Sequence, residues 1–326
     1  MEWTDRHCRF FHRLLSPRAR LYTEMVTTGA LLHGDVARHL DFSPEEHPLA
    51  LQLGGSDPQD LAACARLGER WGYDEINLNC GCPSPRVQRG SFGACLMAEP
   101  QLVRDCVRAM REAVSLPVTV KHRIGIDRTE SYGFVRDFVG TVGEGGCSVF
   151  IVHARNAWLD GLSPKRNREV PPLRPDTVAQ LKADFPQWTF VVNGGLQERT
   201  QVEQELARVD GVMLGRVAYH NPWRLAEWDN LAFGAECQPP PIRDAIETGM
   251  VRYMEARAAH DGTPWTAIAR HMMGLRLGQP GARRWRQVWS DHRLRALLPS
   301  EVMQHARLAM DNDPPSCAPP ESAFVA

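Results

Sequence analysis

The sequence has no apolar run of about 18 residues or more, so nothing in it predicts a helix that crosses a membrane. Its first segment, MEWTDRHCRFFHRLLSPRAR, is charged throughout and lacks the apolar centre of a secretion signal. The net charge is −1, so binding to a nucleic acid would need a local cluster of cations. We therefore expect a cytoplasmic protein with no membrane partner.

Cysteine is neither absent nor arranged as in a disulfide-rich or zinc-binding protein. The chain has nine cysteines, an odd number spread over 326 residues, which is typical of a protein from a reducing compartment. The two nearest neighbours, Cys80 and Cys82, are separated by one residue, and no Cys or His close by completes a zinc set. No metal site is expected.

Short runs rich in Val, Ile and Leu alternate with helical patterns along the first two thirds of the chain. This alternation predicts a parallel sheet, because a helix connects each strand to the next. Seven such runs are one short of an eight-stranded TIM (β/α)8 barrel. A doubly wound sheet is the alternative, but no G-x-G-x-x-G follows a first strand. The runs are residues 21–26, 49–55, 75–80, 118–123, 149–154, 190–195 and 211–216.

The last two runs end in glycine-containing sequences, 193–195 and 215–216, which suit the phosphate-binding loops after strands seven and eight of such barrels. Residues 21–26 then become strand two. We expect strand one to be absent, because a helical pattern at residues 4–15 already stands at the start of the chain.

The chain is expected to divide into an α/β barrel, residues 1–234, and a small all-α domain, residues 242–310. A proline-rich linker, 235–241, separates them, and a tail, 311–326, is expected to be disordered. Four helical patterns occupy the second domain: 242–260, 265–277, 281–292 and 300–310. Residues 270–295 contain seven arginines and one acidic residue, Asp291. A monomer is expected.

Five of the predicted strands end with a polar side chain, namely Gln52, Asn79, Lys121, His153 and Asn193. If all five point inward they surround one pocket at the barrel mouth. The set contains donors, no carboxylate and an adjacent phosphate cradle, which suits flavin mononucleotide (FMN). Lys121 could neutralise a reduced flavin, act as a Schiff-base nucleophile, or be an ordinary solvated lysine.

The three cysteines of NLNCGCPSPRVQRGSFGACLM are predicted to differ. Strand alternation places Cys80 toward the helices as a small buried residue. Cys82 follows the strand between Gly81 and Pro83, so its thiol should lie at the barrel mouth as a nucleophile, a general acid or an inert group. Packing is the favoured role of Cys95.

Several segments together resemble the tRNA-dihydrouridine synthases: NLNCGCPSPRVQRGSFGACLM, VTVKHRIGID, IVHARNAWLDGLSPKRNREVPPL, VVNGG and GVMLGRVAYHNPW. LYTEMVTTGALLHGD and LALQLGGSDP are similar to the A-type subfamily. The resemblance extends from residue 3 to about residue 310.

The resemblance implies an FMN-containing barrel joined to a helical RNA-binding domain. The implied reaction reduces uridine in the D-loop of tRNA, at positions 20 and 20a, with NADPH as reductant. Hydride passes from flavin N5 to C6, and Cys82 donates the proton to C5. The residues implied to hold FMN are Gln52, Lys121, His153, Asn193, Gly194, Gly195, Gly215 and Arg216. Those implied to contact tRNA are Asn79, Lys165, Arg168, Arg283 and Arg286.

The arginine-rich segment also fits RNA binding, since local cations must meet the phosphate backbone. We expect Trp285 and Trp289 to be mainly core and the arginines beside them to face RNA; DNA is not an expected partner. The family's first strand ends in Ala-Pro-Met, which is expected to be missing here because Met1 follows it. Two other functions stay open: a tRNA-binding protein without catalysis, and a dihydroorotate-dehydrogenase-like flavoenzyme acting on a free pyrimidine.

Overall fold

The fold is a curled parallel sheet surrounded by helices, in a computed structural model that describes residues 3–129, 131–234 and 241–311. Every predicted strand is present within those residues. The first predicted run is split into two short strands, and both pair with the third. The strands are β1 (Leu21–Tyr22), β2 (Val26–Thr27), β3 (Leu49–Gly54), β4 (Glu75–Cys80), β5 (Val118–Arg123), β6 (Val149–His153), β7 (Thr189–Asn193) and β8 (Gly211–Met213).

Sheet order follows chain order, β1-β3-β4-β5-β6-β7-β8, and every pairing is parallel. The prediction of a TIM-like α/β barrel that is one strand short is therefore confirmed, and the doubly wound alternative is excluded. Among the described residues no pairing closes the sheet between β8 and β1, so the barrel is open along that line. Because all strands run in one direction, their carboxyl ends lie at the same rim.

The connecting helices begin at residues that suit a helix start. Asp57 caps the helix Pro58–Trp71, where its carboxylate accepts from the amides of Gln59 and Asp60 at 2.9 Å, and Pro58 occupies the first helical position. The helices that precede, connect and follow the strands are α1 (Arg6–Leu15), α2 (Thr28–His33), α3 (Val36–Leu40), α4 (Pro58–Trp71), α5 (Pro85–Arg89), α6 (Pro100–Ala113), α7 (Tyr132–Glu144), α8 (Pro175–Asp184), α9 (Arg199–Leu206), α10 (Arg216–His220) and α11 (Trp223–Phe233).

One apolar core lies between the sheet and its helices. Alternate strand residues such as Leu51, Leu78 and Val120 are fully buried, and the inward faces of α4 and α6 pack against them. Burial of both sheet faces explains why the strand sequences are almost continuously apolar. Polar side chains of the strands cluster toward their carboxyl ends, with Asn77 and Thr119 below them, and this arrangement builds the site described below.

A second core joins four further helices to the first helix of the chain. Phe11 and Leu15 of α1 pack in the same cluster as Met250, Ile268 and Trp285. The predicted boundary at residue 234 stays a prediction, but α1 contributes apolar surface to the C-terminal helices. These are α12 (Arg243–Asp261), α13 (Trp265–Ala269), α14 (Ala282–Trp289) and α15 (Pro299–Asp311).

The helical pattern predicted over 265–277 was too long. The α-helix ends at Ala269, a 3-10 turn covers Arg270–Met272, and turns follow. Gly274, a weak helix former, lies within these turns. A Cβ there would meet the carbonyl oxygen of His220 at 2.7 Å and the Pro222 ring at 2.5 Å, so this segment packs closely against the end of α10.

Two predictions fall largely outside the described residues: the linker 235–241, of which only Pro241 is described, and the tail 311–326, of which only Asp311 is described. In the part of the chain that is described, no helix has both the length and the apolar character needed to cross a bilayer.

Candidate active site at the carboxyl ends of the strands

The five polar strand-end residues lie on five consecutive strands of the sheet. Gln52, Asn79, Lys121, His153 and Asn193 belong to β3, β4, β5, β6 and β7 respectively. Asn79 is in register with Lys121, and His153 is in register with Asn193. Strand pairing therefore assembles all five side chains at one rim of the barrel, as the sequence predicted. Their individual roles stay predictions.

Side-chain amides form a chain of hydrogen bonds on one side of this rim. Asn79 Nδ2 donates to Gln52 Oε1 at 2.8 Å, and Gln52 Nε2 donates to Asn77 Oδ1 at 2.9 Å. Asn77 then donates to Thr119 Oγ1, and the Thr119 hydroxyl donates to Glu75 Oε1. Each amide has a fixed orientation because its neighbour accepts or donates in turn.

Lys121 occupies the middle of the rim, where its Nζ donates to Asn193 Oδ1 at 3.1 Å. Burial, followed by the positive charge of Arg123, lowers the pKa of Lys121 to about 7. The ammonium form is the one that this environment disfavours. Lys121 is thus a cation that an anionic ligand would stabilise.

His153 is 9% exposed and lies between cationic side chains. Burial, then the charges of Arg123 and Lys121, lower its pKa far below the ordinary value, so the ring is neutral at physiological pH. Its Nδ1 is buried and has no hydrogen-bond partner among the described residues. A buried nitrogen without a partner is costly, so this atom is suited to contact a bound molecule.

Cys82 is held at the rim by hydrogen bonds of its main chain. Its amide donates to Asn79 Oδ1 at 3.0 Å, as does the amide of Gly81 at 3.1 Å. Its carbonyl oxygen accepts from the amide of Ala94 at 3.0 Å. The thiol is free and the residue is partly exposed, so a fixed backbone presents a thiol beside the polar rim.

The neighbouring thiols differ from Cys82. Cys80 is fully buried, and burial raises its pKa well above the ordinary value, so it is inert as predicted. Cys95 is partly buried and its thiol donates to the carbonyl of Phe92 at 3.1 Å. The described residues contain no group of three or more His, Cys, Asp or Glu that could hold a metal ion.

Two glycines follow β7 in a backbone conformation that favours glycine. Gly194 has φ +104° and Gly195 has φ +76°. A Cβ on Gly194 would meet His153 Nε2 at 3.1 Å, and one on Gly195 would meet Leu173 Cδ2 at 2.3 Å. The turn therefore brings main chain close to the rim where side chains would obstruct it. A Cβ on Gly215, after β8, would meet nothing within 4 Å.

Comparison with known proteins identifies the family. The model of the family described as dihydrouridine synthase matches residues 1–307. The chain belongs to the dihydrouridine synthase family. A tRNA-dihydrouridine(20/20a) synthase of Pseudomonas syringae pv. tomato is 60% identical over 290 residues, 89% of this chain and 86% of that protein. The Escherichia coli K12 protein of the same name is 55% identical over 308 residues, 94% and 88% of the two chains.

These relatives confirm the A-type assignment and identify this dihydrouridine synthase as an oxidoreductase. A solved structure of 2-naphthoyl-CoA reductase with 2-naphthoyl-CoA is similar in fold, with a TM-score of 0.52 at 9% identity. That similarity covers 69% of this chain and 48% of the reductase chain. It supports the barrel architecture alone.

The residues predicted to contact RNA occupy two surfaces of this dihydrouridine synthase. Lys165 is exposed and Arg168 partly exposed in the loop after β6, near the rim. Arg283 and Arg286 are exposed on α14. Asn79 differs from these four because it is 9% exposed and its side chain already holds Gln52, Gly81 and Cys82.

Helix α14 separates its arginines from its tryptophans. Trp285 and Trp289, 0% and 2% exposed, lie one turn apart on its buried face. The expectation that they belong mainly to the core is confirmed, so they offer no stacking surface. Their indole nitrogens donate to Glu247, a buried carboxylate of α12 that the sequence analysis had not singled out.

The sequence analysis also missed two side chains at the rim. Arg123, the last residue of β5, donates to the carbonyl oxygen of Gly81 at 3.0 Å. Gln88 on α5 donates to the carbonyls of Pro83 and Leu159 at 3.0 and 2.8 Å. Arg123 could have been found, because it shares a strand face with Lys121. Gln88 could not have been found in this way, because its acceptors are main-chain carbonyls that no sequence pattern indicates.

Proposed function

We propose that this dihydrouridine synthase reduces uridine to 5,6-dihydrouridine in the D-loop of tRNA, at positions 20 and 20a, using FMN and NADPH. The observation that carries the proposal is the placement of one partly exposed thiol, Cys82, beside a rim of fixed polar donors. The positions 20 and 20a come from the names of the relatives given above.

The rim fits FMN in three respects. His153 presents a buried Nδ1 without a partner in the described residues, Lys121 is a poorly solvated cation, and the Gly194–Gly195 turn exposes main chain. An unpaired nitrogen, a cation and glycine amides are the groups that a flavin ring and its phosphate require. Gln52, Lys121, His153, Asn193, Gly194, Gly195, Gly215 and Arg216 would hold the cofactor.

Arg216 is the cation at the phosphate end. Its Nη1 donates to Glu169 Oε1 at 2.9 Å, and its Nη2 donates to the carbonyl oxygen of Arg168 at 3.3 Å. Arg216 is the first residue of α10, directly after Gly215. A phosphate bound there would have a guanidinium beside it.

When bound and reduced by NADPH, FMN supplies the hydride that goes to C6 of the uracil ring. Cys82 then donates its proton to C5 as a general acid, so the thiol must be protonated when substrate binds. Asn79 orients Cys82 by accepting from its amide. The target base must leave the stacked D-loop to reach this rim, because the thiol lies at the barrel mouth.

Cations on two surfaces would hold the tRNA. Lys165 and Arg168 lie in the loop after β6, and Arg283 and Arg286 lie on the exposed face of α14. Since the chain has a net charge of −1, the phosphate backbone must be met by such local groups. Asn79 would contribute only a peripheral contact to the tRNA, since its side-chain amide is already hydrogen-bonded to Gln52 and Gly81.

The test is a reaction of purified protein with NADPH and unmodified tRNA, followed by mass spectrometry of the tRNA digest. Heat-denatured protein should release FMN, and dihydrouridine should appear at positions 20 and 20a. Tight tRNA binding without flavin or dihydrouridine would favour a non-catalytic RNA-binding protein. Turnover of a free pyrimidine without RNA would favour a dihydroorotate-dehydrogenase-like enzyme.

A further inference from the structure

Arg123 occupies the carboxyl end of β5, immediately above Lys121 on the same strand face. It is 5% exposed and stands in register with His153 on β6. Burial lowers the pKa of Arg123 to about 10, so the side chain is a cation at neutral pH. A buried cation at the centre of a polar rim requires an explanation.

Within the described ranges, the acceptors of the Arg123 guanidinium are all main-chain carbonyl oxygens. Nε donates to Gly81 at 3.0 Å, and Nη1 donates to Asn156 at 3.3 Å and Asn167 at 3.1 Å. Arg168 and Arg155 add further positive charge near it, and its acceptors among the described residues include no carboxylate. The positive charge is therefore not cancelled locally and acts on the site.

The first acceptor fixes the peptide that leads to Cys82. Gly81 and Cys82 direct their amides to Asn79 Oδ1, while the Gly81 carbonyl points to Arg123. The thiol-bearing residue is thus held through main-chain groups on both sides of one peptide. Loss of either side chain would free this turn, since Gly81 has no side chain of its own to anchor it.

The other two acceptors belong to the loop after β6. Asn167 is fully buried, and its side chain ties the loop together through the amide and carbonyl of Trp158. Lys165 and Arg168 flank it. Arg123 therefore connects the turn that bears Cys82 to the loop that bears two of the proposed RNA contacts.

We propose that Arg123 is a positioning residue for uridine reduction, which fixes the Cys82 turn and links it to the loop of Lys165 and Arg168. This inference rests on the proposed function of Cys82 as proton donor. A displacement of a reacting group by about 1 Å costs about 100-fold in rate.

The experiment compares Arg123→Met and Arg123→Lys with Arg13→Met. Arg13 is a matched control, because it is also buried and its acceptors within the described part of the chain are main-chain carbonyls, those of Ser16, Glu46 and Pro48. It lies in α1, away from the rim. Thermal melting of each variant is recorded first, so that comparisons are made on folded protein.

Two rates are measured: the single-turnover reduction of tRNA uridine, and the alkylation of Cys82 by iodoacetamide, mapped by mass spectrometry. Arg123→Met should slow uridine reduction about 100-fold, because Cys82 loses its fixed position, and should speed alkylation about tenfold, because the freed turn makes the thiol more accessible. Arg123→Lys should restore neither rate, since lysine keeps the charge without the planar fork that holds the Gly81 carbonyl.

Arg13→Met should leave both rates near those of the parent. The proposal is overturned if Arg123→Met and Arg13→Met behave alike in both measurements, or if Arg123→Lys restores uridine reduction fully. Failure of the proposed function gives a different result: Cys82→Ala would then reduce uridine at the parent rate, while the alkylation comparison would still decide the relationship between Arg123 and Cys82.

Discussion

The side-chain oxygen of Asn79 accepts hydrogen bonds from the amides of both Gly81 and Cys82, at 3.1 and 3.0 Å. The last polar residue of β4 is thereby the anchor of the turn that carries the thiol. Strand geometry sets the position of Asn79, and Asn79 sets the position of Cys82. We propose that substrate chemistry at the rim depends on this pair.

Asn79→Ala should therefore reduce the rate of uridine reduction much more than it reduces the free energy of unfolding. Removing one acceptor leaves two rim amides unpaired and should cost about 1–3 kcal/mol in the free energy of unfolding. Single-turnover uridine reduction should fall about 100-fold, because the thiol loses its fixed position. The control is Asn230→Ala. Asn230 lies on α11, away from the rim, and the change removes one hydrogen bond from Arg18. Equal rates for both variants would contradict the role of Asn79.

The lowered pKa of Lys121 predicts that the free energy of unfolding depends on pH. Its pKa is about 7 in the folded protein and 10.5 ordinarily, so between these values the unfolded chain binds more protons. Its contribution to stability should then rise with pH across that window. The Lys121→Met variant should gain most over the parent below about pH 7 and progressively less toward pH 10, in urea unfolding at several pH values. A gain that is constant with pH would contradict the shifted pKa.

Glu247 should be a main determinant of the C-terminal helical core. It is fully buried and accepts from Arg276 at 2.7 Å, Trp285 at 2.6 Å and Trp289 at 3.0 Å. Glu247→Ala leaves a buried guanidinium and two indoles without this acceptor, and should cost about 3–5 kcal/mol by urea unfolding.

Asp244→Ala provides the control, because Asp244 binds the same Arg276 but has a side chain that is 60% exposed. An exposed ion pair contributes about 0–1 kcal/mol, so this variant should unfold close to the parent. If the two variants unfold at the same urea concentration, the buried network is not what stabilises this core.

Substitution of Arg286 tests whether the exposed face of α14 binds RNA. If it meets a phosphate, Arg286→Ala should weaken tRNA binding and lower the slope of log affinity against log salt by about 0.9. Arg136→Ala, an exposed and ion-paired residue on α7, should change neither value. Filter binding at several salt concentrations measures both. An unchanged slope for Arg286→Ala would remove α14 from the interface.

The sequence predicted the strands and the rim because both follow from local alternation. Lys121 and His153 stand out as polar residues that end apolar strands, and parallel pairing brings such ends together. Arg123 was overlooked although it shares the face of Lys121, because its acceptors are carbonyls from distant loops. The close contact of Gly274 with the end of α10 is likewise tertiary.

The C-terminal helices likewise combine features that a local sequence pattern predicts with tertiary contacts that it does not. The spacing of Trp285 and Trp289 indicates one buried face, and the neighbouring Arg283 and Arg286 indicate an exposed one. That a carboxylate from α12 meets both indoles could not be predicted, since Glu247 looks like any charged helix residue. The packing of α1 against these helices depends on how the chain returns from α11.

The most direct test of the account is single-turnover reduction of unmodified tRNA by pre-reduced Cys82→Ala protein, with Cys95→Ala as a matched thiol control. General-acid catalysis contributes about 100-fold or more, so Cys82→Ala should lose at least that factor. Flavin content and NADPH-dependent flavin reduction should stay within about twofold of the parent. Cys95→Ala should react normally. Uridine reduction by Cys82→Ala at the parent rate would contradict the assignment of Cys82 as proton donor.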